Sequence, residues 1–337
     1  MKTVILRTPG GLETLEVAEA RDPGQPGPGQ IRLAVRASSL NYHDLLVANG
    51  TIPTEDGRIL MSDGAGVVEA VGEGVSEFQI GDHVVSGFFP QWQDGQPFEG
   101  VGNFAGTPGD GTDGFAAEYV VRSATDFTLA PTGWSHAEAA TITTAGLTAW
   151  RALVVEGQLM AGETVLLLGT GGVSIAALQI AKAMGARVVI TSSSDAKLAE
   201  ARKLGADHTV NYAEYPEWAE EVLAFTRGRG VDHVVEVGGP GTLGQSLRAV
   251  RVGGRVALIG VLTGREGAVP TGLLMAKQAR LQGLVVGNRR QQREYIQALE
   301  QNRLHPVIDR HFGFEQLAEA FRYQENGGHF GKIVVEW

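Results

Sequence analysis

The middle of the chain alternates between short apolar runs and longer segments in which apolar residues recur at helical spacing. The run Val165–Leu168 has four apolar residues in succession, which is typical of a strand buried on both faces. An apolar helical pattern follows from Val173 to Met184. The strand–helix pairs that come next are Arg187–Thr191 with Asp195–Leu204, His208–Asn211 with Trp218–Thr226, and His233–Val237 with Leu243–Val250, before two more strands at Arg255–Ile259 and Leu281–Val286. This alternation predicts an α/β fold with a doubly wound parallel sheet.

The first part of the chain has a different pattern, with short strands separated by glycine and proline. Strands are predicted at Thr3–Arg7, Gln30–Ala37, Gly66–Val71 and Phe115–Val121. This punctuation predicts a β-barrel-like module. The last part of the chain shows two helical patterns and one strand, at Gln291–Gln301, Phe314–Gln324 and Lys332–Glu336. Because the strand–helix alternation does not continue there, we expect the carboxyl-terminal part to join the first domain.

The stretch Phe88–Gly114 has no clear periodicity and is rich in glycine, proline, aspartate and aromatic residues. A long irregular segment inside a compact domain is usually a functional or a mobile loop. Two interpretations stay open. The segment covers a substrate, or it is a surface excursion whose aromatic side chains pack back on their own domain.

A glycine-rich turn joins the strand Val165–Leu168 to the helix that follows it. Gly169 permits the tight turn, and Gly171 lets the backbone approach a pyrophosphate. The N–H groups at the helix start, at Gly172 and Val173, then face that anion. Ser174 stands where a third glycine is usual and is small enough to keep helix and strand close. The turn is therefore predicted to bind a dinucleotide.

Composition narrows the class of protein. The chain has 337 residues, which predicts about two domains, and a formal net charge of −10 without a basic run. This balance gives no support for nucleic-acid binding. The absence of cysteine excludes disulfides, thiol catalysis and cysteine-ligated metals. No signal peptide or apolar run of membrane-spanning length is evident, so we expect a cytoplasmic protein without a membrane partner.

Several short motifs together carry a family resemblance that covers essentially the whole chain. They are Asn41-Tyr42-His43-Asp44, Gly64-Ala65-Gly66-Val67-Val68, Gly81-Asp82-His83-Val84, Ala145-Gly146-Leu147-Thr148-Ala149, Gly169–Ser174 and Gly331-Lys332-Ile333-Val334. In these motifs the chain resembles the zinc-independent, quinone-oxidoreductase-like branch of the medium-chain dehydrogenase/reductase family. The resemblance implies a GroES-like β-barrel domain formed by residues 1–145 and 290–337. It also implies a Rossmann NADP-binding domain formed by residues 146–289, and a nicotinamide site in the cleft between them.

Zinc alcohol dehydrogenases of the same family hold a catalytic zinc with two cysteines and a histidine, and the positions that match by resemblance are Asn41, Ser62 and Thr144. An amide and two hydroxyls are poor ligands for zinc. The family's structural zinc takes four cysteines, and this chain has none. We therefore expect no metal, and we expect structural or solvated roles for the nearby His43 and Asp63.

The choice of cofactor is predicted from the end of the strand Arg187–Thr191. Rossmann folds that prefer NAD place an acid about 20 residues after the first glycine, where it bonds the ribose 2′-hydroxyl. Here Ser192 and Ser193 come first, and Lys197 offers a cation for a 2′-phosphate. By resemblance, Tyr212 lies beside the same phosphate. We predict NADPH, while the alternative is that the serines only cap a helix and Lys197 is a solvated charge.

Around the nicotinamide, the resemblance points to Thr148 and to the backbone near Gly238, Gly260 and Val261. The three backbone positions follow the carboxyl ends of predicted strands, where doubly wound sheets bind ligands. Any one of these glycines is as well explained as an ordinary loop residue. Two weaker cofactor-side candidates are Asn288 and Lys332.

Without zinc, a hydrogen-bond donor must stabilise the oxyanion that develops on the acceptor. By resemblance, the segment that contains Asn41, Tyr42 and His43 faces the nicotinamide. Tyr42 is the first candidate because a phenol donates a hydrogen bond and can supply a proton, and Asn41 is the second. Two alternatives stay open: Tyr42 packs the barrel floor, and the proton comes from water. Asp44 is expected to fix the loop.

These residues predict an NADPH-dependent reductase that delivers hydride to a small-molecule acceptor, a quinone or an α,β-unsaturated carbonyl. The alternatives are a zinc-free alcohol/aldehyde oxidoreductase and a non-catalytic NADPH-binding protein with a structural or moonlighting role. Relatives commonly dimerise through edge strands of the Rossmann domain. A homodimer through Leu281–Val286 is therefore expected here.

Overall fold

The computed structural model describes every residue from Met1 to Trp337. The chain divides into two compact units, one formed by Met1–Leu147 with Gly287–Trp337 and the other by Thr148–Val286. The borders predicted from the sequence, after residue 145 and before residue 290, lie close to these.

The amino-terminal part of the first unit is mainly strands with short helices. Its strands are β1 (Lys2–Leu6), β2 (Leu15–Glu19), β3 (Gln30–Ser39), β4 (Arg58–Ile59), β5 (Ala65–Val71), β6 (His83–Ser86), β7 (Tyr119–Ser123) and β8 (Phe127–Leu129). Its helices are α1 (Tyr42–Ala48), α2 (Glu99–Gly102) and α3 (His136–Ala140), and α4 (Leu147–Trp150) leads into the second unit. Two π-helical segments, Ile142–Gly146 and Arg151–Val155, flank α4.

The second unit alternates strands and helices. The strands are β9 (Thr164–Leu168), β10 (Arg187–Ser192), β11 (His208–Asn211), β12 (Val231–Glu236), β13 (Val250–Leu258) and β14 (Arg280–Gly283). The helices are α5 (Gly172–Ala183), α6 (Asp195–Lys203), α7 (Trp218–Phe225), α8 (Pro240–Ala249) and α9 (Thr271–Lys277). The chain then returns to the first unit with α10 (Arg289–Asn302), β15 (Ile308–Gly313), α11 (Leu317–Glu325) and β16 (Lys332–Glu336).

The sheet of the second unit confirms the doubly wound fold predicted from the sequence. Its strand order is β11-β10-β9-β12-β13-β14, and every neighbouring pair is parallel. The order reverses between β9 and β12, which makes this point the expected ligand site of such a sheet. All five residues of β9 and all six of β12 are buried, because helices cover both faces of the sheet.

The first unit is built around the ten-residue strand β3. This strand pairs in antiparallel fashion with β5, with β7 and with the carboxyl-terminal strand β16. In the last pairing Val334 lies opposite Ser39, and this places Lys332 beside the residues that follow β3. The carboxyl-terminal part therefore belongs to the first unit, as its lack of strand–helix alternation predicts.

Some elements differ from the predicted ones. The strand predicted at Phe115–Val121 begins later, at Tyr119, and β15 and α9 were missed. The edge strand predicted at Leu281–Val286 ends at Gly283. Boundaries shift most where the apolar pattern is short, because short runs do not define a period. No helix of the structure has the length and apolar character that crossing a membrane requires.

Candidate functional site

The glycine turn between β9 and α5 has the backbone geometry that its sequence predicts. Gly169 has a φ of 70°, a left-handed conformation that favours glycine. Gly171 precedes the helix, and no side chain caps the amino end of α5. The Ser174 hydroxyl donates to the carbonyl oxygen of Leu168 at 2.7 Å and holds helix to strand. The first N–H groups of α5, at Gly172 and Val173, therefore fit the pyrophosphate of a dinucleotide.

The residues predicted to contact the adenosine phosphate lie together at the carboxyl ends of β10 and β11. The Tyr212 amide donates to the carbonyl of Ser192 at 3.0 Å, and the Tyr212 side chain is 42% exposed. The Ser192 side chain is buried, and its oxygen accepts from the amide of Ser194 at 3.3 Å. Ser193 is exposed and Lys197 is half-buried. Ser193 and Tyr212 are thus the exposed polar side chains of this group, and Lys197 is partly accessible.

The two loops predicted to face the nicotinamide contact each other. The carbonyl oxygen of Gly238 accepts from the amide of Thr263 at 2.8 Å and from its hydroxyl at 2.7 Å. A Cβ at Gly260 would lie 2.3 Å from the carbonyl oxygen of Val237. A Cβ at Gly239 would lie 3.1 Å from the Cα of Val261. Gly238, Gly260 and Val261 therefore lie at one place in the unit, while Thr148 is a buried residue of α4.

The three positions that match the zinc ligands of relatives meet in one buried network of the first unit. The Asn41 amide nitrogen lies 3.1 Å from Asp44 Oδ2, 3.2 Å from the carbonyl of residue 39 and 3.4 Å from Ser62 Oγ. Thr144 donates to Asp63 Oδ1 at 2.6 Å. Asp44 also accepts from the backbone amides of Asn41 and Ser62. All three side chains are committed to protein partners.

A lysine ammonium completes this network. Lys332 Nζ donates to the carbonyl of Leu40 and to Asn41 Oδ1, each at 2.6 Å, and lies 3.8 Å from Asp63 Oδ2. Burial raises the pKa of Asp63 to about 6, although the nearby Lys332 acts in the opposite direction. Burial also lowers the pKa of Lys332. An amide and two hydroxyls around an internal ammonium do not fit a zinc ion.

Nor does any other part of the chain bring three or more His, Cys, Asp or Glu side chains into an arrangement that could hold a metal ion. The network argues against one predicted role, because Asn41 uses both amide hydrogens inside the protein. Lys332 uses two of its three ammonium hydrogens in the network, and its cofactor role stays a prediction.

Tyr42 and His43 begin α1 and have different surroundings. The Tyr42 side chain is 39% exposed, and its hydroxyl makes no hydrogen bond within the protein. His43 stacks on Phe104 with ring centroids 5.3 Å apart and meets Phe88 edge-on at 5.5 Å. His43 Nε2 lies 3.2 Å from Asp110 Oδ2, in range for an ion pair but not aligned as a hydrogen bond. Tyr42 is therefore the more accessible donor, and its catalytic role stays a prediction.

The Phe88–Gly114 segment packs largely on its own unit. The side chains of Phe88, Phe89 and Trp92 are buried, whereas Phe98 is exposed. The carbonyl of Trp92 accepts from the Arg289 amide at 3.1 Å. The burial of these aromatic side chains thus supports the second interpretation, a surface segment that packs on its own domain.

Asn288, a predicted cofactor contact, is also used inside this unit. Its side chain is buried, caps α10 by accepting from the amide of Gln291 at 2.9 Å, and donates to the carbonyl of Gly95 at 3.3 Å. These bonds use the side-chain oxygen and one of the two amide hydrogens of Asn288, and its cofactor role stays a prediction.

Sequence reasoning missed two carboxylates. Asp110 meets His43 across 67 positions of sequence and lies in a segment without periodicity, so nothing local marks it. Glu236 is the last residue of the buried strand β12 and lies two positions before Gly238. A charged residue inside an otherwise buried strand was the signal that could have identified Glu236.

The buried network generates a prediction for Lys332. Lys332→Met leaves Asp44 and Asp63 without their cation, and we expect a loss of about 3–5 kcal/mol in the free energy of unfolding, measured in urea. Lys332→Met/Asp63→Asn should recover part of this loss, because the double variant removes a buried charge that has lost its partner. The control is Lys182→Met, which removes the 2.8 Å pair with Asp207 from a side chain 30% exposed and should cost less than about 1 kcal/mol. Equal losses from the two single variants would contradict the internal-cation interpretation.

Comparison with known proteins agrees with both units. Residues 172–301 match the family model of zinc-binding dehydrogenases, and residues 27–132 match the alcohol dehydrogenase GroES-like domain. A zinc-type alcohol dehydrogenase-like protein of Schizosaccharomyces pombe is 40% identical over 335 residues, which cover 97% of this chain and 96% of that protein.

Solved structures of related proteins cover the whole chain. An NAD-dependent alcohol dehydrogenase is 35% identical with a TM-score of 0.90 and is itself covered to 100%. A quinone oxidoreductase of Pseudomonas syringae pv. Tomato DC3000 is 27% identical, with a TM-score of 0.84 and 99% of it covered. A crotonyl-CoA carboxylase/reductase in complex with NADP is 26% identical, with a TM-score of 0.84 and 94% of it covered. The chain therefore belongs to the medium-chain dehydrogenase/reductase family and is an oxidoreductase with a nicotinamide cofactor.

Proposed function

We propose that this protein is an NADPH-dependent, zinc-independent reductase that acts on a quinone or an α,β-unsaturated carbonyl. The observation that carries the proposal is the buried network at the positions that match the zinc ligands of relatives, in which Asn41 binds Lys332 and Ser62 while Thr144 donates to Asp63. When bound, the nicotinamide supplies the hydride. Conjugated acceptors spread the negative charge that develops on reduction, so they need less stabilisation than a simple carbonyl.

NADPH is supported by the side chains at the ends of β10 and β11. Ser193 offers an exposed hydroxyl, Lys197 a nearby ammonium and Tyr212 an exposed phenol. The first acid after β10 is Asp195, which accepts a hydrogen bond from the Asn211 amide group at 2.9 Å. A 2′-phosphate bound here would lie near these hydroxyl and ammonium groups, and charge-assisted hydrogen bonds from them would favour binding of NADPH.

A zinc-free alcohol/aldehyde oxidoreductase is the second candidate. It is favoured by the name of the S. pombe relative and of the NAD-dependent alcohol dehydrogenase structure. Steady-state oxidation of NADPH and NADH against one quinone, one enone and one aldehyde separates the two enzymes. A protein that binds NADPH but turns over none of the three acceptors would instead be a non-catalytic binder.

The cofactor preference can be changed at one residue. Ser192→Asp places a carboxylate at the end of β10, where it repels a 2′-phosphate and can accept from a ribose hydroxyl. We expect the dissociation constant of NADPH to rise at least about tenfold and that of NADH to stay equal or fall, as measured by cofactor fluorescence. Ser76→Asp is the control, since it adds the same charge at an exposed position of the other unit. Equal wild-type affinities for NADPH and NADH would refute the preference.

The proposed oxyanion donor is Tyr42. Tyr42→Phe removes only the hydroxyl, and a preorganised donor of this kind contributes about 2.7–4 kcal/mol to a transition state. We therefore expect kcat to fall about 100-fold for an enone, less for a quinone, and the affinity for NADPH to stay unchanged. Tyr215→Phe, at another exposed tyrosine, should change neither quantity. A loss below about threefold on every acceptor would make Tyr42 a packing residue and water the proton source.

We also propose that two copies of the chain form a homodimer through the edge of the second unit. Strand β14 ends the six-stranded sheet, so one side of its backbone is unpaired. Exposed apolar side chains lie in the segments before and after it, at Leu262, Val269, Met275 and Val285. An unpaired edge with apolar neighbours is suited to pairing with a second copy of itself.

The dimer can be tested by light scattering of the purified protein. Met275 is 76% exposed, and Met275→Lys should shift the mass from that of two chains towards that of one, because a charge desolvated at an interface is costly. Met160→Lys is the matched control at a methionine that is 66% exposed and distant in sequence from the edge. A monomeric wild type, or a dimer unaffected by Met275→Lys, would exclude this surface.

A further inference from the structure

Glu236, the last residue of β12, is a fully buried carboxylate without a cation. Its side chain has no exposure. Oε1 accepts from the amide of Gly238 at 2.7 Å, the amide of Gly239 at 3.0 Å and the hydroxyl of Thr242 at 2.6 Å. Oε2 accepts from the hydroxyl of Ser246. No lysine, arginine or histidine forms an ion pair with it.

A buried charge of this kind needs compensation, and here it comes from the start of α8. Burying a carboxylate without a cation is costly unless hydrogen bonds replace its water. Four donors do so, and they come from the turn before α8 and its first two turns, where the partial positive charge of the helix adds to the effect. Glu236 therefore fixes the backbone of Gly238 and Gly239, of which Gly239 has a φ of 87°.

The constraint continues into the loop after β13. The carbonyl of Gly238 accepts from the amide and the hydroxyl of Thr263, and the Thr263 hydroxyl accepts from the amide of Gly241 at 2.8 Å. Thr263 follows the segment that contains Gly260 and Val261. One carboxylate thus determines, directly or through Thr263, the position of both loops predicted to face the nicotinamide.

We propose that Glu236 is a positioning residue for the nicotinamide half of the cofactor. It holds the turn after β12 and, through Thr263, the turn after β13 in the conformation that receives the ring. The inference rests on the nicotinamide cofactor and on the role assigned to Gly238, Gly260 and Val261. It does not depend on which acceptor the protein reduces.

The experiment compares two ligands that differ in the nicotinamide ring, which the second ligand lacks. The dissociation constants of NADPH and of 2′-phospho-ADP-ribose are measured by calorimetry for Glu236→Ala and Glu236→Gln. Glu236→Ala removes the acceptor of all four donors, and we expect NADPH to bind at least tenfold more weakly while 2′-phospho-ADP-ribose changes less than twofold. Glu236→Gln keeps an acceptor oxygen for the three donors that bind Oε1 and should restore NADPH binding to within about threefold of the wild type.

Asp232→Asn is the matched control because Asp232 is a buried carboxylate near the other end of the same strand. It is bound by Arg229, by Arg251 and by the amide of Thr164 at 2.9 Å. These partners hold its pKa well below the usual range in spite of burial. Asp232→Asn should lower the midpoint of urea unfolding and leave both dissociation constants unchanged.

If Glu236→Ala does not fold, Thr263→Val tests the same pair of loops, since it keeps the side-chain shape and removes the hydroxyl that binds Gly238 and Gly241. Weakening of NADPH alone supports the proposal. Equal weakening of both ligands, or no change in either, overturns it, as does a selective effect of Asp232→Asn. Loss of NADPH preference or of acceptor turnover in the wild type would refute the proposed function instead. The Glu236 comparison is then made with NADH and ADP-ribose.

Discussion

A carboxylate that is removed from water must find donors or a cation inside the protein, and this constraint shapes both units. In the first unit Asp63 and Asp44 share Lys332, Asn41 and several hydroxyl and amide donors. In the second unit Glu236 has no cation and is satisfied by the start of α8. Each solution fixes a stretch of backbone, because breaking any one bond leaves a buried polar group unpaired.

The network of the first unit determines which chemistry its residues can perform. Asn41 and Thr144 donate to internal partners and Ser62 Oγ lies 3.4 Å from the Asn41 amide nitrogen, a set that does not fit a zinc ion. The accessible polar group beside them is the hydroxyl of Tyr42, and the neighbouring His43 is held between aromatic rings and Asp110. A site that offers the exposed Tyr42 hydroxyl beside an internal ammonium is suited to acceptors that stabilise their own negative charge, and this is why a conjugated acceptor is proposed.

In the second unit the same constraint distinguishes two helix N-termini. The amino end of α5 is left without a side-chain cap, so its N–H groups are available to a pyrophosphate. Before α8, Glu236 accepts from the amides of Gly238 and Gly239, and Thr263 accepts from the amide of Gly241. Two helices that begin after parallel strands of one sheet thus differ in whether the nearby N–H groups already have partners inside the protein.

The sequence by itself determined the doubly wound sheet, the glycine turn at Gly169 and the return of the carboxyl-terminal part to the first unit. These features follow from local signals, namely apolar period, helix ends and a residue that tolerates positive φ. Only the tertiary structure decided what Lys332 does, because its partners Leu40 and Asn41 lie 292 and 291 positions away. The tertiary structure also decided that Asp110, which lies in a loop without periodicity, contacts His43. It likewise decided that the side-chain amide of Asn288 donates to the carbonyl of Gly95. Side-chain pattern predicts which residues carry chemistry, but burial and long-range pairing decide which of them remain free to use it.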